Sequence, residues 1–330
     1  MAQQDRLPSE TVRRAASQPQ LAAAATPAGQ EMQDVAVQTR VSSPGRDAWR
    51  RFRGNWAAML SLIVILVFIF LAIFAPFLHT ADPLANNYVA LDQPPSAHHW
   101  FGTDGLGRDY YSRMLYGLRV PLLVSIIGTT ITVVLGALIG VISGFFGGVV
   151  DNILARVTDV MFAFPGFTLA LIIVSLYGSA LDPYFGGAGR LLVLIIVFAI
   201  VGWPGLMRFV RSLTLSMKEQ QFIEAAKTLG TTNRKIILRH LLPNMWGLIL
   251  VQASFIVVGF IYTEAVLSLF GLGVTAPNPD LGQMLFEGTS KMGLNDAEYI
   301  IPSIFLMVLI LGFTFLGDGV RDAVDPRGKA

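Results

Sequence analysis

The sequence predicts an all-α integral membrane protein with six transmembrane helices, and three observations lead there. Of the 330 residues, 53% are hydrophobic and only 14% are charged, against roughly one-quarter charged in soluble domains. Six apolar runs recur along the chain, at 57–78, 121–143, 160–177, 191–207, 246–269 and 299–316. Nineteen of the 24 Lys and Arg residues fall in segments that alternation of these runs puts on one side of the bilayer, the pattern of cytoplasmic loops. The formal net charge of +2 is too small for a nucleic-acid partner, and the basic residues cluster beside apolar runs instead of forming one stripe. Cysteine is absent, which excludes a disulfide framework, a thiolate metal site and a cysteine nucleophile. No phosphate-binding Walker A string is present.

Residues 1–46 are rich in Ala, Gln, Pro, Ser and Thr, and their apolar cluster at 21–25 is too short for a signal-peptide core. A disordered cytoplasmic tail is expected, and Asp5, Glu10, Glu31 and Asp34 argue against an acid-poor transit peptide. Segment 47–118 opens on a basic collar, with Arg46, Arg50, Arg51 and Arg53 beside Trp49 and Trp56. The first apolar run follows, and its 22 residues reach about 33 Å, enough for a hydrocarbon core of roughly 30 Å. The polar stretch 79–118 is expected outside. In it Asp104 would cap a short interfacial helix, with Arg108, Asp109 and Arg113 in salt bridges.

Segment 119–317 holds the other five helices. In helix two, Gly136 and Gly140 lie four apart on one face and allow a neighbouring helix close approach. A short loop is expected at 144–158, holding Asp151 and Arg156, with Asp159 at its margin and Ala163-Phe164-Pro165 at a helix entry. Gly186, Gly187 and Gly189 mark the turn between helices three and four. Glu264 lies 18 residues after Trp246, about 27 Å along helix five and near the outer interface. It is a candidate gate or pathway residue, or else an interfacial anchor bonded to a neighbouring helix. Asp318, Arg321 and Asp322 begin a cytoplasmic tail, 318–330, as a solvated helix end.

The stretch 212–244 is too polar for lipid and lies between two apolar runs. Phe222, Ala225, Ala226 and Leu229 share one helical face, Gly230 interrupts, and Ile236, Ile237, His240 and Leu241 resume a face before Pro243 ends it. Two short helices joined by a glycine bend are expected, fit to lie on headgroups or to dock in the groove of a soluble partner.

The spacing Glu224-Ala225-Ala226, then Gly230, then Leu242-Pro243 resembles the EAA loop of the membrane subunits of binding-protein-dependent ABC importers. His240 stands where the family pattern has an aliphatic residue. The string Phe101-Gly-Thr-Asp-Gly-Leu-Gly-Arg-Asp-Tyr-Tyr-Ser-Arg113 resembles the signature of the dipeptide, oligopeptide and nickel branch of these permeases, and the run from Asp151 to Pro165 is similar to that branch too. The resemblance implies a type I ABC importer transmembrane domain over 119–317, with Phe222, Glu224, Ala225, Ala226, Leu229, Gly230, Leu242 and Pro243 coupling it to an ATPase. It further implies a heterodimer with a homologous permease, two cytoplasmic ATPase subunits and an extracytoplasmic solute-binding protein. ATP and Mg would be bound by the ATPases, leaving no cofactor, metal or catalytic site in this chain. Peptides, nickel and glutathione all remain open as the solute.

Two other classes compete. An ion-coupled secondary transporter would place acids near the membrane midplane, and no Asp or Glu stands in the middle of the six runs. A membrane-embedded metalloenzyme would need ligands, yet the four histidines are His79, His98, His99 and His240, and the adjacent pair lacks partners at metal-ligand spacing.

Overall fold

The computed structural model describes residues 44–186, 188–274 and 277–324. The expected N-terminal tail up to residue 43, Gly187 in the third-to-fourth turn and the last six residues lie outside the described residues. The chain separates into two compact units, Met1–Asp47 and Ala48–Ala330. Of the first, only the opening turn of helix α1, Pro44–Gly54, is described.

The second unit is helical. Helix α2, Trp56–Leu78, starts at Asn55, whose side chain accepts from the N–H groups of Ala57 and Ala58 at 3.1 and 3.3 Å. Such a cap satisfies donors that the first helical turn leaves free. Helix α3, Tyr110–Gly117, leads through Leu118 into α4, Arg119–Phe146. Next come α5, Gly148–Phe162, and α6, Gly166–Tyr177, then the single turn α7, Asp182–Phe185. Helix α8 runs Ala188–Met217, α9 Gln221–Thr228 and α10 Asn233–Ile236. A π-helical turn, Ile237–Leu241, joins α10 to α11, Leu242–Leu269. Helices α12, Leu281–Thr289, and α13, Ala297–Val324, close the described fold.

Among the described residues, five stretches are long and apolar enough to cross a membrane, and a sixth is added if the bent pair α5 and α6 counts as one span. The bend there is 76°. The loop expected at 144–158 is therefore helical from Gly148, and helix three is broken instead of continuous. Gly147 and Gly148, with φ of 64° and 54°, turn the chain sharply out of α4 in a region that only glycine enters freely. Pro165 breaks the span because its ring disfavours helical geometry at Phe164 and removes a backbone donor.

Other bounds also move. Helix four reaches Met217, ten residues past the apolar run, and helix six continues to Val324, so the expected tail at 318 is helical through its first residues. Helix α12 was not anticipated. Its N-cap is Asp280, which accepts from the N–H of Gly282 at 3.3 Å.

Among the described residues, the three larger of four apolar clusters hold the bundle. One joins α2, α3, α11, α12 and α13 through Phe68, Met114, Ile261, Leu281 and Leu309. A second joins α4, α6 and α8 through Val124, Val174 and Phe198. The third, Val141, Leu206, Val210, Ile223, Ile236, Leu241 and Met245, lies where α4, α8, α9 and α11 meet. The most extensive helix contact is α4 against α8. A Cβ built on Gly136 would stand 2.8 Å from Leu206 Cβ, and one on Gly140 2.6 Å from the Met207 carbonyl oxygen. The close approach expected of these two glycines is thus realised.

That contact makes a prediction. Gly140→Ala should force α4 and α8 apart, lowering the thermal midpoint in detergent by an amount corresponding to about 1–3 kcal/mol of overpacking. Gly205→Ala, where nothing lies within 4 Å of the added carbon, should match or slightly exceed wild type. Equal midpoints for wild type and Gly140→Ala would show that the contact is not tight.

Candidate functional site: the segment between α8 and α11

The polar stretch singled out in the sequence forms a projecting helix, a turn and a return at one end of the bundle. Thr214 Oγ1 of α8 lies 3.7 Å from Met245 Sδ of α11, Gly247 of α11 lies against Val324 of α13, and Asn55 before α2 donates to Asp322 at 3.4 Å. The starts of α2 and α11 and the ends of α8 and α13 therefore share that end.

Helix α9 is held from one side only. Ile223 is fully buried and Ala226 nearly so, both in the cluster with Val141, Val210 and Ile236. Phe222 is 44% exposed and Leu229 84%, and Glu224, Ala225 and Lys227 are exposed as well. This corrects one expectation: Ala226 faces the bundle, not outward with Phe222, Ala225 and Leu229. The residue that seats the helix is Ile223, which a face drawn through Phe222 and Ala225 left out. Its signal was its i, i+3 spacing to Ala226.

Gly230 ends α9 with φ of 74°. Its N–H bonds the Lys227 carbonyl at 2.9 Å and the Thr231 N–H reaches the Ala226 carbonyl at 3.0 Å. These two bonds are those of a Schellman C-cap, which needs a left-handed residue at this place. The expected glycine bend is present, with its cause.

Pro243 does not end the second short helix. It sits in the first turn of α11, and Asn233–Leu269 runs as one helical stretch through the π-helical turn. A proline in a regular helix clashes with the carbonyl four residues earlier. The wider turn gives the ring room, with the Leu242 N–H on the Ile237 carbonyl and the Asn244 side-chain amide on the His240 carbonyl at 2.6 Å. Ile236 and Leu241 are buried, as the periodicity implied, while Leu238 is half exposed. Thr232, Arg234, Lys235, Leu238 and Arg239 line a shallow basic cavity of about 330 Å³.

The base of the segment is fastened by charges. The Arg211 guanidinium donates twice to Asp151 of α5, at 2.5 and 2.7 Å, and Ser143 of α4 donates to the same carboxylate. One turn earlier Arg208 donates to Asp159 at 2.6 Å and lies 4.1 Å from the Phe162 ring centroid. Lys218 donates to the Gly144 carbonyl at 2.9 Å, and Lys227 lies over Phe145. Asp151 and Asp159 were singled out in the sequence. Their arginine partners, 60 and 49 residues away, were not. Glu224 differs from them, since its carboxylate has no hydrogen bond or ion pair among the described residues.

The remaining candidates lie at the other end. Asp104 does not cap the short helix. Asp109 does, accepting from Ser112 N–H at 2.8 Å, while Asp104 closes a turn onto the Arg108 N–H and pairs with the Arg108 side chain at 2.7 Å. Burial works against ionisation of Asp109, yet bonds from Ser112, His99 and Thr80 outweigh it and hold the carboxyl below its ordinary range. Arg113, 1% exposed, lies 3.4 Å from Asp104, and both arginines stand 3.6 Å from Glu287 of α12. Glu264 has no exposed surface and is bonded to Ser268, so it does not line an open path in this conformation.

Comparison with known proteins agrees with this architecture. The family model described as binding-protein-dependent transport system inner membrane component matches residues 136–329, and that of the N-terminal TM domain of oligopeptide transport permease C matches residues 43–95. The chain is 38% identical over 291 residues to the dipeptide transport system permease protein DppC of Alkalihalophilus pseudofirmus, covering 87% of this chain and 91% of that one. It is 36% identical over 282 residues to the oligopeptide transport system permease protein OppC of Bacillus subtilis, covering 86% and 89%. With the glutathione transport system permease protein GsiD of Shigella flexneri it shares 39% over 293 residues, covering 88% and 93%. Among solved structures, an inward-facing form of the MetNI methionine ABC transporter superposes with a TM-score of 0.52 at 18% identity, covering 64% of this chain and 97% of that one, a likeness of fold. With a family model over more than half its length and such relatives over most of the rest, the chain belongs to the binding-protein-dependent transport system inner membrane components, as a multi-pass permease subunit of an ABC importer.

Proposed function

We propose that this permease forms half of a pathway for peptide-class solutes and that α9, with the turn at Gly230, is its coupling element to a cytoplasmic ATPase. The observation that carries the coupling role is the one-sided seating of α9. Ile223 and Ala226 anchor it, while Phe222 and Leu229 stay exposed and the Glu224 carboxylate has no partner among the described residues. An exposed apolar pair beside a free carboxylate suits a groove with an apolar floor and a basic rim. The peptide assignment rests on relatives named for dipeptide, oligopeptide and glutathione transport. A homologous permease would complete the pathway, a binding protein would deliver the solute, and ATP and Mg would be bound by two ATPase subunits. ATPase closure would move α9 as a rigid body with α4, α8 and α11, to which the third apolar cluster ties it.

The positive-inside count supports a cytoplasmic position for this end and for both termini. In spheroplasts, an impermeant thiol reagent should label Leu294→Cys, at a position 86% exposed at the other end, and not Lys227→Cys. Pro279, in the loop before α12, is buried and unsuited to labelling. The reverse labelling would invert the orientation.

Coupling is tested by attachment of the ATPase to the assembled permease. Burying one leucine contributes about 1.5–3 kcal/mol, so Leu229→Ala should weaken attachment roughly tenfold or more. Glu224→Ala should weaken it too, by about tenfold, if its carboxylate is paired in the groove. Both variants should insert as wild type does. Gly230→Val should abolish solute-stimulated ATP hydrolysis, because a β-branched residue resists φ of 74°. Wild-type attachment and hydrolysis in all three variants would remove α9 from the interface.

A further inference from the structure

At the end of the bundle away from α9, three side chains meet with one hydrogen too few. Ser268 Oγ lies 2.9 Å from Glu264 Oε1 and 2.5 Å from Asp280 Oδ2. All three residues are buried, Glu264 and Asp280 completely. A serine hydroxyl carries one hydrogen and can donate only one of these bonds, while an ionised carboxylate only accepts. With both acids ionised, one contact would be oxygen against oxygen with nothing between, out of reach of water. A proton on one carboxyl lets that acid donate to Ser268 Oγ, while the Ser268 hydroxyl donates onward.

We propose that Glu264, Ser268 and Asp280 form a one-proton site, in which a neutral Glu264 donates to Ser268 and Ser268 donates to an ionised Asp280, fastening Asp280 and α12 to the end of α11.

The direction of the chain follows from what surrounds each acid. Asp280 is the N-cap of α12, where the Gly282 N–H reaches its Oδ1 and the positive end of the helix favours negative charge. Glu264 has no such support: among the described residues no N–H reaches its carboxyl, and its Oε2 is buried without a donor. A neutral acid also avoids placing a charge inside the span Asn233–Leu269.

No cation takes the proton's place. Neither acid has an ion pair among the described residues, and most charged groups of the surrounding elements are engaged elsewhere. Glu287 of α12 faces Arg108 and Arg113 at 3.6 Å. Arg119 of α4 donates to the Ala72 carbonyl at 2.7 Å and Glu298 of α13 accepts from Asn295 at 3.0 Å, while Arg190 of α8, its Nε without a hydrogen-bond partner among the described residues, lies beside Gly178 and forms no ion pair with either acid. A bound metal ion would need more ligands than two acids and a hydroxyl, and no group of three acidic or histidine ligands occurs among the described residues. Space is short as well. A Cβ on Gly273 would collide with Ser268 Oγ and lie 2.7 Å from Asp280 Oδ2, and one on Gly282 would lie 2.6 Å from Ser268 Cβ. The backbone thus closes over the three side chains, leaving room for a proton and little else.

The test is infrared spectroscopy of the full chain in lipid nanodiscs at neutral pH. The spectrum of wild type minus Glu264→Gln should contain the carbonyl stretch of one protonated carboxyl, and the spectrum of wild type minus Asp280→Asn should not contain it, because that variant keeps the protonated acid. In Ser268→Ala the band should move to higher frequency, because the acid loses its acceptor. A Glu264→Gln difference without a protonated-carboxyl band overturns the proposal. So does a band that Asp280→Asn alone removes, or one that Ser268→Ala leaves in place. The serine variant keeps the question answerable if Glu264→Gln does not insert.

Discussion

The contact on which the rest of this structure depends is the approach of α4 to α8 across glycines. At Gly136, Gly140 and Gly144 the neighbouring helix is so near that a Cβ would fall within 2.9 Å of Leu206, Met207 or Thr214. In lipid no hydrophobic effect drives helices together, so closeness of this kind supplies dispersion and backbone contact in its stead. Its consequence lies beyond the span. Because α8 is held along its length, it continues past the apolar run to Met217 without a break, and so delivers α9 from a stiff base.

The charges at that base extend the same logic to α5. Asp151 is caught between Ser143 of α4 and the fork of Arg211 of α8, so the start of α5 is tied to the pair that the glycines define. The two N–H groups of a guanidinium fix an angle as well as a distance. Arg208 repeats the connection at the far end of α5 through Asp159 and Phe162, although there both charged partners are about half exposed and the pair contributes less. The 76° bend at 163–165 then lets α6 return against α8 while α5 stays at the basic end. A movement of α9 that carried α8 would carry α5 with it.

What could be read in the sequence, and what could not, divides along physical lines. The spans were legible because burial in lipid imposes one composition over some twenty residues, which no partner can change. Gly230 and the spacing around Glu224 were legible because a left-handed cap is a local requirement. Helix α5 was not, because its first half carries Asp151 and Asn152 and its charges are balanced by arginines distant in the chain. Pro243 misled because the π-helical turn that accommodates it has no composition of its own. Asp104 and Asp109 are both cap residues by type, and only the tertiary fold decides that Asp104 serves Arg108 and Arg113 while Asp109 serves α3. Glu264 was placed correctly near the end of its helix, but its partner at Asp280 sits across a turn that hydropathy does not describe.

The two ends of the bundle solve the same problem in opposite ways. Away from α9, polar groups are buried and answer one another: Asp109 takes bonds from Thr80, His99 and Ser112, and Tyr110 donates to the Glu298 carbonyl at 2.6 Å. Satisfied networks of this kind cost little once made and resist rearrangement, since any displaced group would be left unpaired in a low dielectric. At the basic end, the apolar cluster stops at Ile223 and Ala226, and the next layer, Phe222, Leu229 and Leu238, is left uncovered. Exposed apolar surface opposes stability of the isolated chain. It is tolerable here because α9 is anchored through its inner residues and its C-cap, so the helix does not depend on what covers its outer face. The fold therefore holds this exposed face in shape without a covering element, which would reduce the ordering cost of an association there.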